Sequence, residues 1–549
     1  MKPLSLNFIF IIFSILITID GFTQECLWSS HAGGTAYDGG GHIFCDKNGN
    51  TYISGVTRSN SCIFNTDTIY PCWFIVKYDN SGNEKWIFDL PAGIGPNEGE
   101  DGGIAMKIDT INAQLLVAGS FYNYLVLPDT ILHGSKNTVF ILKMDLDGNI
   151  IWYRTAGGTG DDQAFGITYD PDGNIYISGS NESDVAFGQT TIPRGGFLAE
   201  YDPNGNLIWA KQKFRFKNFQ GSGYPYTEAS PINLLFSNNS LLVLGAVNSS
   251  TVVFDTATFT NFGINAAYLA SYTTQGNLNW VKLASGPDGA CGSMTTDHLN
   301  NIFITGQYTK TGVFGYDTLL QIGNYGDCFI AKYDLNGNLS WVTNTKSSWM
   351  AWGWAITSSS DGSIYVAGYF HGTLHFGDIV LTSSPTANDM FLAKYATDGN
   401  NIGVRQYSDG AIYGVAVDGS DNVCFTGDFN GTLTIGNNTF TSRGQSDLFV
   451  AKCSPILSGV EPLKKNSNEL LIYANPTTGI CNITIPEDFK NEKSLTLKLF
   501  DSQGKVIQKV PVIITEGKIT FDIRAQATGM YNVILSNGKK SYTGKIIFK

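Results

Sequence analysis

The sequence predicts an all-β protein in which a four-stranded unit is repeated along most of the chain. A short apolar segment that ends in glycine recurs seven times, at residues 50–55, 115–119, 175–179, 241–245, 302–306, 364–368 and 423–427. After most copies come a second strand pattern, a Gly-Asn turn and a tryptophan. The tryptophans that set a period of about 57 to 71 residues are Trp86, Trp152, Trp209, Trp280 and Trp341. Such a period, with several short strands per unit, is typical of a β-propeller or a repeat array.

The composition agrees with this fold class. The 549 residues include 62 glycines, 13% aromatic residues and only 15% charged residues. No helical periodicity extends beyond the N-terminus. Residues 1–455 carry 22 basic and 39 acidic side chains, whereas residues 456–549 carry 13 and 8. Because binding to phosphates depends on a basic surface, the acidic body disfavours a nucleic-acid partner.

The N-terminus predicts a secretory signal peptide over residues 1–24. Lys2 precedes an apolar run at residues 8–19, which is too short to cross a bilayer comfortably and has the length of a signal core. Cleavage is expected between Gly21 and Gln24. No Leu-x-Gly/Ala-Cys pattern precedes Cys26, which disfavours a lipoprotein. No other stretch of the sequence is long and apolar enough for a transmembrane helix.

The third unit shows how the four strands are expected to connect. Strands a, b, c and d are predicted at residues 165–170, 175–179, 197–201 and 207–211. The a–b and c–d connections read Asp-Pro-Asp-Gly-Asn and Asp-Pro-Asn-Gly-Asn, and Asp-Gly or Asn-Gly supplies the positive φ that tight hairpins need. The long d–a and b–c connections then share the opposite end of every unit, which we call the upper face. A functional surface is expected there.

The seventh unit predicts how the repeats close into a ring. It runs from residue 412 to residue 453 and lacks strand d, whereas Cys26-Leu-Trp28 near the N-terminus matches Leu339-Ser-Trp341. An N-terminal strand that completes the last unit would cover two open sheet edges. The sequence therefore predicts a seven-bladed β-propeller over residues 25–455, closed by this strand. An eight-bladed or open array is the alternative.

The same alignment predicts a disulfide between Cys26 and Cys453. In the fifth unit a three-residue loop would place Tyr333 opposite Leu339, and these positions align with the two cysteines. Directly opposed residues have Cα atoms about 4.5 to 5.5 Å apart, within disulfide reach. A two-residue Asn-Gly turn would instead put the sulfurs on opposite faces. Cys62 and Cys72 form a weaker second candidate pair, and the other five cysteines have no obvious partner.

Two of the repeats resemble a known family. Residues 32–55 and 156–179 combine a Gly-Gly pair, acidic residues and a D-x-x-G-N-x-Y-x-x-G pattern. They are similar to the bacterial repeat family named for seven-bladed β-propellers. The second, fourth, sixth and seventh repeats depart from the Gly-Gly portion. The resemblance implies a fold and no particular activity.

Residues 467–549 differ in character from the repeats. They are basic, contain no tryptophan and are patterned as short alternating strands. Their ordered motifs resemble the type A C-terminal sorting domain of the type IX secretion system. The matching residues are Asn475, Pro476, Gly479, Asp501, Gly504, Gly529, Tyr531 and Lys545. The resemblance implies handling by the type IX machinery, passage across the outer membrane, and removal of a small Ig-like β-sandwich at a linker over residues 456–466. An accessory β-sandwich without a sorting role is the alternative.

Several local patterns invite a chemical interpretation, and each has a structural alternative. The Asp-x-Asp/Asn-Gly-Asn turns resemble calcium loops, but their glycine stands at position 4, where a hairpin needs it, and not at position 6. The D-x-x-G-x-x-x-W pattern resembles the tryptophan-docking motif of quinoprotein propellers, in which the tryptophan packs on a neighbouring blade. His371 and His375 lack a third metal ligand nearby. No cofactor and no metal site are predicted.

The predicted ligand site combines aromatic and acidic residues in the long upper-face connections. Its members are Trp349, Trp352, Tyr224, Tyr226, Glu100, Asp101, Asp161 and Asp162. Aromatic and carboxylate side chains together suit carbohydrate or peptide binding. The alternative is that these loops pack over the central channel. Trp354 aligns with Phe165, a strand position, and is expected in the core.

The sequence thus predicts an exported, non-enzymatic propeller that binds a glycan or a protein. One alternative is a secreted carbohydrate-active hydrolase or lyase with its site in the central funnel. Two carboxyl groups about 5 to 10 Å apart in that funnel would favour the enzyme. The other alternative is a passive structural or adhesive surface protein, which a featureless upper face would favour.

Overall fold

The computed structural model describes most of the chain in two compact units, Met1–Leu457 and Ser458–Lys549. The described residues are 26–65, 67–93, 104–216, 229–247, 251–255, 257–260, 266–284, 289–315, 317–456, 470, 472–473, 477, 479–486, 489, 495–501, 505–512, 518–537 and 540–548. The predicted signal peptide and nearly all of the predicted linker lie outside them. Within these ranges every named element is a β-strand. No helix there has the length and hydropathy needed to cross a membrane.

The described residues of the first unit form seven meanders of four antiparallel strands, numbered as sheets 1 to 7. The first strand of the chain, β1 (Cys26–Ala32), belongs to sheet 7. Sheet 1 and its b–c hairpin comprise β2 (Asp38–Cys45), β3 (Thr51–Thr57), β4 (Cys62–Ile63), β5 (Thr68–Ile69), β6 (Cys72–Tyr78) and β7 (Glu84–Leu90). Sheet 2 comprises β8 (Ala92–Gly93), β9 (Ala105–Asp109), β10 (Gln114–Leu127), β11 (Thr130–Asp145) and β12 (Ile150–Gly158).

Sheets 3 to 5 repeat the pattern of two strands, a small hairpin and two further strands. Sheet 3 comprises β13 (Asp162–Tyr169), β14 (Ile175–Asn181), β15 (Val185–Phe187), β16 (Thr190–Ile192), β17 (Gly195–Tyr201) and β18 (Leu207–Phe216). Sheet 4 comprises β19 (Ala229–Ser237), β20 (Ser240–Val247), β21 (Thr251–Phe254), β22 (Ala257–Thr260), β23 (Ala266–Thr273) and β24 (Leu278–Leu283). Sheet 5 comprises β25 (Gly289–Thr296), β26 (Ile302–Tyr308), β27 (Thr311–Phe314), β28 (Asp317–Leu320), β29 (Asp327–Tyr333) and β30 (Leu339–Asn344).

Sheets 6 and 7 follow the same order. A short strand, β31 (Lys346–Ser347), leads into sheet 6, which comprises β32 (Met350–Ser358), β33 (Ile364–His371), β34 (Thr373–Phe376), β35 (Ile379–Thr382), β36 (Asp389–Tyr395) and β37 (Asn401–Tyr407). Sheet 7 comprises β38 (Gly410–Val417), β39 (Val423–Phe429), β40 (Thr432–Ile435), β41 (Asn438–Thr441), β42 (Asp447–Cys453) and, as its outer strand, β1.

The tight turns form because aspartate and asparagine satisfy the turn backbone. In sheet 3 one carboxylate oxygen of Asp170 accepts hydrogen bonds from the backbone N–H groups of Asp172 and Asn174, at 3.0 and 2.9 Å. The amide of Asn174 donates to the other oxygen at 2.9 Å. Gly173 has a φ of 82°, which a residue with a Cβ adopts only with strain. These bonds support the interpretation of the repeated motif as a hairpin turn, because the carboxylate is already occupied by its own loop.

The first strands of the seven sheets surround a central cavity of about 140 Å³. Each of these strands contacts the first strand of the next sheet, and β38 of sheet 7 contacts β2 of sheet 1. This cyclic contact between sheets is a β-propeller arrangement. The buried core lies between neighbouring sheets. One cluster, for example, joins Ile141 of sheet 2 to Ile177 of sheet 3.

Tryptophans join neighbouring sheets at the end that carries the tight turns. In five cases the indole N–H donates a hydrogen bond to a carbonyl in the c–d turn of the next sheet. The donor and acceptor pairs are Trp28 and Asn80, Trp86 and Leu146, Trp152 and Pro203, Trp280 and Leu335, and Trp341 and Thr397, at 3.1 to 3.2 Å. The Trp28 bond connects sheet 7 to sheet 1. Four of the five tryptophans that set the sequence period thus form bonds between sheets, whereas the buried indole N–H of Trp209 forms no such bond.

The b–c hairpins join the sheets at the upper face. The end of β12 in sheet 2 pairs with β15 of sheet 3, and the end of β18 pairs with β21 of sheet 4. The same relation connects β8 to β10, β31 to β34, and Gly33 to Ile63. Backbone hydrogen bonds thus continue from one sheet to the next on this side. The described parts of these b–c connections thus belong to the scaffold.

β1 completes sheet 7 by pairing with β42, and Cys26 stands opposite Cys453 as expected. Their sulfurs are bonded at 2.04 Å, and the Cα atoms lie 3.8 Å apart, closer than the expected spacing. A register shift follows directly between Cys26 and Trp28. The chain then continues in the body for one residue beyond the predicted boundary, since Ile456 is buried and its N–H donates to the Tyr365 hydroxyl at 3.1 Å.

Cys62 and Cys72, the second pair suggested by the sequence, are free thiols in the structure. Each is buried in a different part of sheet 1. Cys62 lies opposite Ile69 in the hairpin, whereas Cys72 lies opposite Thr57 on the neighbouring strand. In the strand pairing, therefore, neither cysteine stands opposite another cysteine.

The second unit has two antiparallel sheets that share one hydrophobic core. One sheet comprises β43 (Ile472–Tyr473), β44 (Ile480–Thr484) and β47 (Lys518–Asp522); the other comprises β45 (Thr496–Phe500), β46 (Val506–Pro511), β48 (Gly529–Ser536) and β49 (Ser541–Phe548). Leu499 and Val533 from one sheet and Phe521 from the other are buried in this core. The alternating pattern of the sequence thus corresponds to two half-buried sheet faces.

Candidate functional site

A β-bulge interrupts strand a of six sheets near the upper face. In sheet 3 the register with strand b shifts between Ala164 and Gly166, so that Phe165 is an extra residue in strand a. The same shift recurs at the equivalent place in sheets 1, 4, 5, 6 and 7. A bulge redirects the extra side chain out of the regular alternation. Phe165, Ile232 and Tyr413 are extra residues of this kind, and all three line the central cavity.

Sheet 6 carries the largest side chains at this level. Trp354 is its extra residue, and its ring stacks on Trp352 at 4.8 Å with an interplanar angle of 6°. Tyr413 of sheet 7 meets Trp354 edge-on at 5.7 Å. Both indole N–H groups are buried and have no hydrogen-bond partner among the described residues. The three rings form a half-buried aromatic cluster beside the mouth of the cavity.

This cluster corrects two expectations from the alignment. Trp352 lies on β32 opposite Tyr369 and is half-buried, whereas the sequence predicts an upper-face loop. Trp354 lies at the bulge and is only partly buried, whereas a regular core position is expected for it. The cause is the extra residue at the bulge in strand a. Comparison of the repeats does not reveal this residue, because strand b, its partner, has the same spacing in every unit.

Trp349 is exposed, as the sequence predicts, and forms the centre of a second aromatic group. Its side chain is 41% exposed, and the Tyr325 ring, 58% exposed, lies 4.9 Å from it. The backbone N–H of Tyr325 donates to the carbonyl of Trp349 at 2.9 Å, which holds the two connections together. The His371 ring lies edge-on to the indole of Trp349, with the ring centres 6.0 Å apart. Leu320 and Ile322 in the same connection as Tyr325 are also exposed.

We call Leu320, Ile322, Tyr325 and Trp349 the sheet 5/6 patch. It lies at the upper face, because Trp349 precedes strand a of sheet 6 and Tyr325 precedes strand c of sheet 5. Tyr325 is not in the predicted set, since its proximity to Trp349 arises only after the two connections fold together. Exposed apolar side chains in such a group are a common feature of binding surfaces.

The predicted acidic pair, Asp161 and Asp162, separates in the structure. Asp162 is fully buried, and one of its oxygens accepts the backbone N–H of Gly158 at 2.6 Å while the other has no partner. Burial, followed by the charges of Asp161 and Glu182, raises the pKa of Asp162 to about 7. Asp161 is partly exposed, with the Lys136 ammonium 4.0 Å away. Asp162 thus holds a loop and is not available to a ligand.

Four other members of the predicted ligand site lie outside the described residues. These are Tyr224, Tyr226, Glu100 and Asp101. Their role in ligand binding stays a prediction.

The central cavity contains two basic side chains, His42 and Lys107. Burial lowers the pKa of Lys107, and burial followed by the Lys107 charge lowers the pKa of His42. The Lys107 ammonium lies 5.2 Å from the centre of the Phe44 ring. The described residues that line the cavity include no aspartate or glutamate. The carboxylate pair that a glycosidase needs is therefore not formed by these residues.

The predicted sorting residues fall on both sheets of the second unit. Gly479 precedes β44, and Asp501 follows β45 in a turn where its side chain accepts the N–H of Lys505 at 2.9 Å. Gly529 and Tyr531 lie on β48, and the Tyr531 hydroxyl donates to the carbonyl of Ala527. Lys545 lies on β49. Asn475, Pro476 and Gly504 lie outside the described residues.

Comparison with known families identifies the second unit. Residues 471–549 match the family model described as a secretion system C-terminal sorting domain. The protein is exported. A tail of this kind indicates transport through the type IX secretion system to the cell surface or into the medium.

The comparisons also match this chain to a WD-repeat protein and to two solved structures. An uncharacterized WD repeat-containing protein, L264, of Acanthamoeba polyphaga mimivirus is 21% identical in an alignment of 480 positions that covers 66% of this chain and 33% of that protein. The chain thus spans about a third of the length of this relative. The WD40 β-propeller domain of Doa1 aligns with a TM-score of 0.36 and 11% identity over 78% of this chain and 96% of that domain. A Lactobacillus plantarum protein aligns with a TM-score of 0.30 and 13% identity, covering 74% of this chain and 100% of that one.

Proposed function

We propose that this protein is an exported, seven-bladed β-propeller that acts as a non-enzymatic binding module, with the sheet 5/6 patch as its ligand contact. The observation that carries the proposal is the pair of adjacent exposed rings, Trp349 and Tyr325, 4.9 Å apart on the upper face. Tryptophan and tyrosine dominate the energetic centres of binding interfaces because they bury a large area with few rotatable bonds. The ligand class is a protein or a glycan.

The environment of the patch favours a protein ligand over a glycan. Leu320 and Ile322, in the same connection as Tyr325, are 69% and 62% exposed, and aliphatic side chains gain more from an apolar partner than from a sugar. The patch is also rigid for a loop surface, since Asn324 and Tyr325 both donate backbone hydrogen bonds to Trp349. A pre-organised surface loses less entropy when it binds.

The enzyme alternative receives less support. Its predicted site is the central funnel, and the described lining there offers His42 and Lys107 with no carboxylate. The passive structural role predicts a featureless upper face, and the exposed patch argues against it. Seven meanders and cyclic contact between their first strands support the seven-bladed assignment, and two packed antiparallel sheets support an Ig-like tail domain.

Binding can be tested with the mature full-length protein on a peptide array and a glycan array, followed by affinity measurement for the strongest ligand. Trp349→Ala and Tyr325→Ala are each expected to weaken binding about 30-fold, the value for a 2 kcal/mol interface centre. Tyr70→Ala is the matched control, because Tyr70 is an exposed aromatic residue, 68% accessible, in the b–c connection of sheet 1. Equal losses of affinity in all three variants, or no loss in any of them, would reject the sheet 5/6 patch as the ligand contact.

Export can be tested by deleting residues 467–549. We expect the truncated protein to fold and to accumulate in the periplasm, because the tail is a separate compact unit with its own core. Fractionation with an antibody against the body would locate it. Normal amounts of truncated protein at the cell surface would contradict a sorting role for the tail.

A further inference from the structure

Two of the remaining free cysteines lie next to each other across the junction between sheets 1 and 7. Cys45 is at the end of β2, and Cys424 is on β39. Their sulfur atoms are 3.2 Å apart, although 379 residues separate them in the chain. Among the seven free cysteines, all of which are in the described part of the chain, no other pair of thiols is in hydrogen-bond contact.

We propose that Cys45 and Cys424 form a second disulfide in the exported protein and tie sheet 1 covalently to sheet 7. A disulfide has a sulfur–sulfur distance of about 2.05 Å, so an approach of about 1 Å separates the observed contact from a bond. The protein leaves the cytoplasm, and exported proteins meet conditions in which cysteine pairs oxidise and stay oxidised. Two thiols in contact would therefore remain reduced in the exported protein only if their surroundings prevented oxidation.

The surroundings slow the reaction without blocking it. Cys424 is fully buried, whereas Cys45 is only partly buried. The hydrogen bond with Cys424, followed by burial, raises the pKa of Cys45, while the Lys452 ammonium lowers it. Because the thiolate is the attacking species, oxidation is expected to be faster at alkaline pH.

The oxidant is a protein or small-molecule disulfide, and the reaction proceeds by two exchanges. The Cys45 thiolate attacks the oxidant, forms a mixed disulfide and releases one thiolate. The Cys424 thiolate then attacks the Cys45 sulfur and releases the second thiolate. The two cysteines lose two electrons and two protons, and the oxidant disulfide is reduced to two thiols.

This bond would differ from the Cys26–Cys453 bond in what it connects. The established bond lies within sheet 7, between its outer strand β1 and β42. The proposed bond crosses from sheet 7 to strand a of sheet 1, which packs against β38, β39 and β42. With both bonds in place, β1 would be fixed covalently within sheet 7, and sheet 7 would be fixed covalently to sheet 1.

Peptide mapping of the secreted wild-type protein tests the proposal without any variant. The protein is denatured with iodoacetamide present and no reductant, digested and analysed by mass spectrometry. We expect the Cys45 and Cys424 peptides to be joined, to lack the alkyl label, and to separate on reduction. Quantitative alkylation of both cysteines while Cys26 and Cys453 remain joined would overturn the proposal, as would a bond from either residue to another cysteine.

Variants provide a second measurement. Cys45→Ser is expected to make Cys424 fully alkylatable after denaturation, and Cys424→Ser is expected to do the same for Cys45. Cys291→Ser is the control, because Cys291 is a buried thiol on β25 without a thiol neighbour. It is expected to leave the labelling of Cys45 and Cys424 unchanged. Unchanged protection of Cys424 in Cys45→Ser would contradict the pairing.

Discussion

The buried carboxyl group of Asp162 makes the stability of the folded protein depend on pH. Burial raises its pKa to about 7, whereas in the unfolded chain an aspartate titrates near 3.9, and each unit of difference corresponds to about 1.4 kcal/mol. Between pH 5 and 8 the carboxyl is ionised in the unfolded chain but binds a proton in the folded protein below pH 7. Stability from this group is therefore present at low pH and is lost as the pH rises through 7.

Asp162→Asn removes this titration and keeps an oxygen for the N–H of Gly158. Since pH 5 lies about two units below the pKa of the folded protein, the difference in unfolding free energy between variant and wild type should change by about 3 kcal/mol between pH 8 and 5. The variant should be favoured at pH 8. Urea unfolding of both proteins at pH 5, 6, 7 and 8, followed by tryptophan fluorescence, measures the difference at each pH.

Asp145→Asn is the control for this experiment, because Asp145 lies in an exposed turn whose hydrogen bonds lower its pKa. Its contribution is lost only as the pH falls through that lowered value, so the variant should be less stable than wild type by the same amount from pH 5 to 8. The burial of Asp447, which raises its pKa to about 6, affects every protein equally and cancels. A constant difference between Asp162→Asn and wild type across this range would refute the reasoning.

Three further perturbations have defined outcomes. Trp341→Phe keeps the packing but removes the hydrogen bond to Thr397, and urea unfolding should show a loss of about 1 kcal/mol; an unchanged midpoint would contradict a bond between sheets. Cys26→Ser should lower stability by about 3 to 5 kcal/mol, since the bonded residues are 427 apart, and an unchanged unfolding midpoint would contradict a stabilising bond. Trp352→Ala should lower the melting temperature more than Trp349→Ala, because only Trp352 stacks half-buried on Trp354; equal losses would contradict this order.

Local features of the fold could be predicted from the sequence because their causes are local. The Asp-Gly-Asn turns satisfy their own backbone within five residues, so their positions and the strands beside them follow from the motif. The Cys26–Cys453 pair could also be predicted, because sheet 5 has the same c–d pairing, with Tyr333 opposite Leu339. Sheet 5 thus showed the complete pairing for sheet 7, whose outer strand, β1, is far in sequence from its other strands.

Features that depend on several repeats at once could not be predicted. The contact of Cys45 with Cys424 joins two sheets that are first and last in the chain. The cavity collects side chains from seven strands, so the proximity of His42 and Lys107 has no sequence signal. The position of Trp354 depends on a bulge, which is defined by the register of two strands and not by either strand alone.

The departures from the repeat are explained by the closure of the propeller. Gly403 stands in sheet 6 at the position that Trp341 occupies in sheet 5, since both lie opposite the equivalent lysine of strand c. A tryptophan there would need the c–d turn of sheet 7 as its acceptor. Sheet 7 has no such turn, because its outer strand is β1. The segment after Cys453 instead turns toward sheet 6, where Ile456 packs and its N–H bonds the Tyr365 hydroxyl. The missing tryptophan thus marks a junction that the chain closes by a different contact.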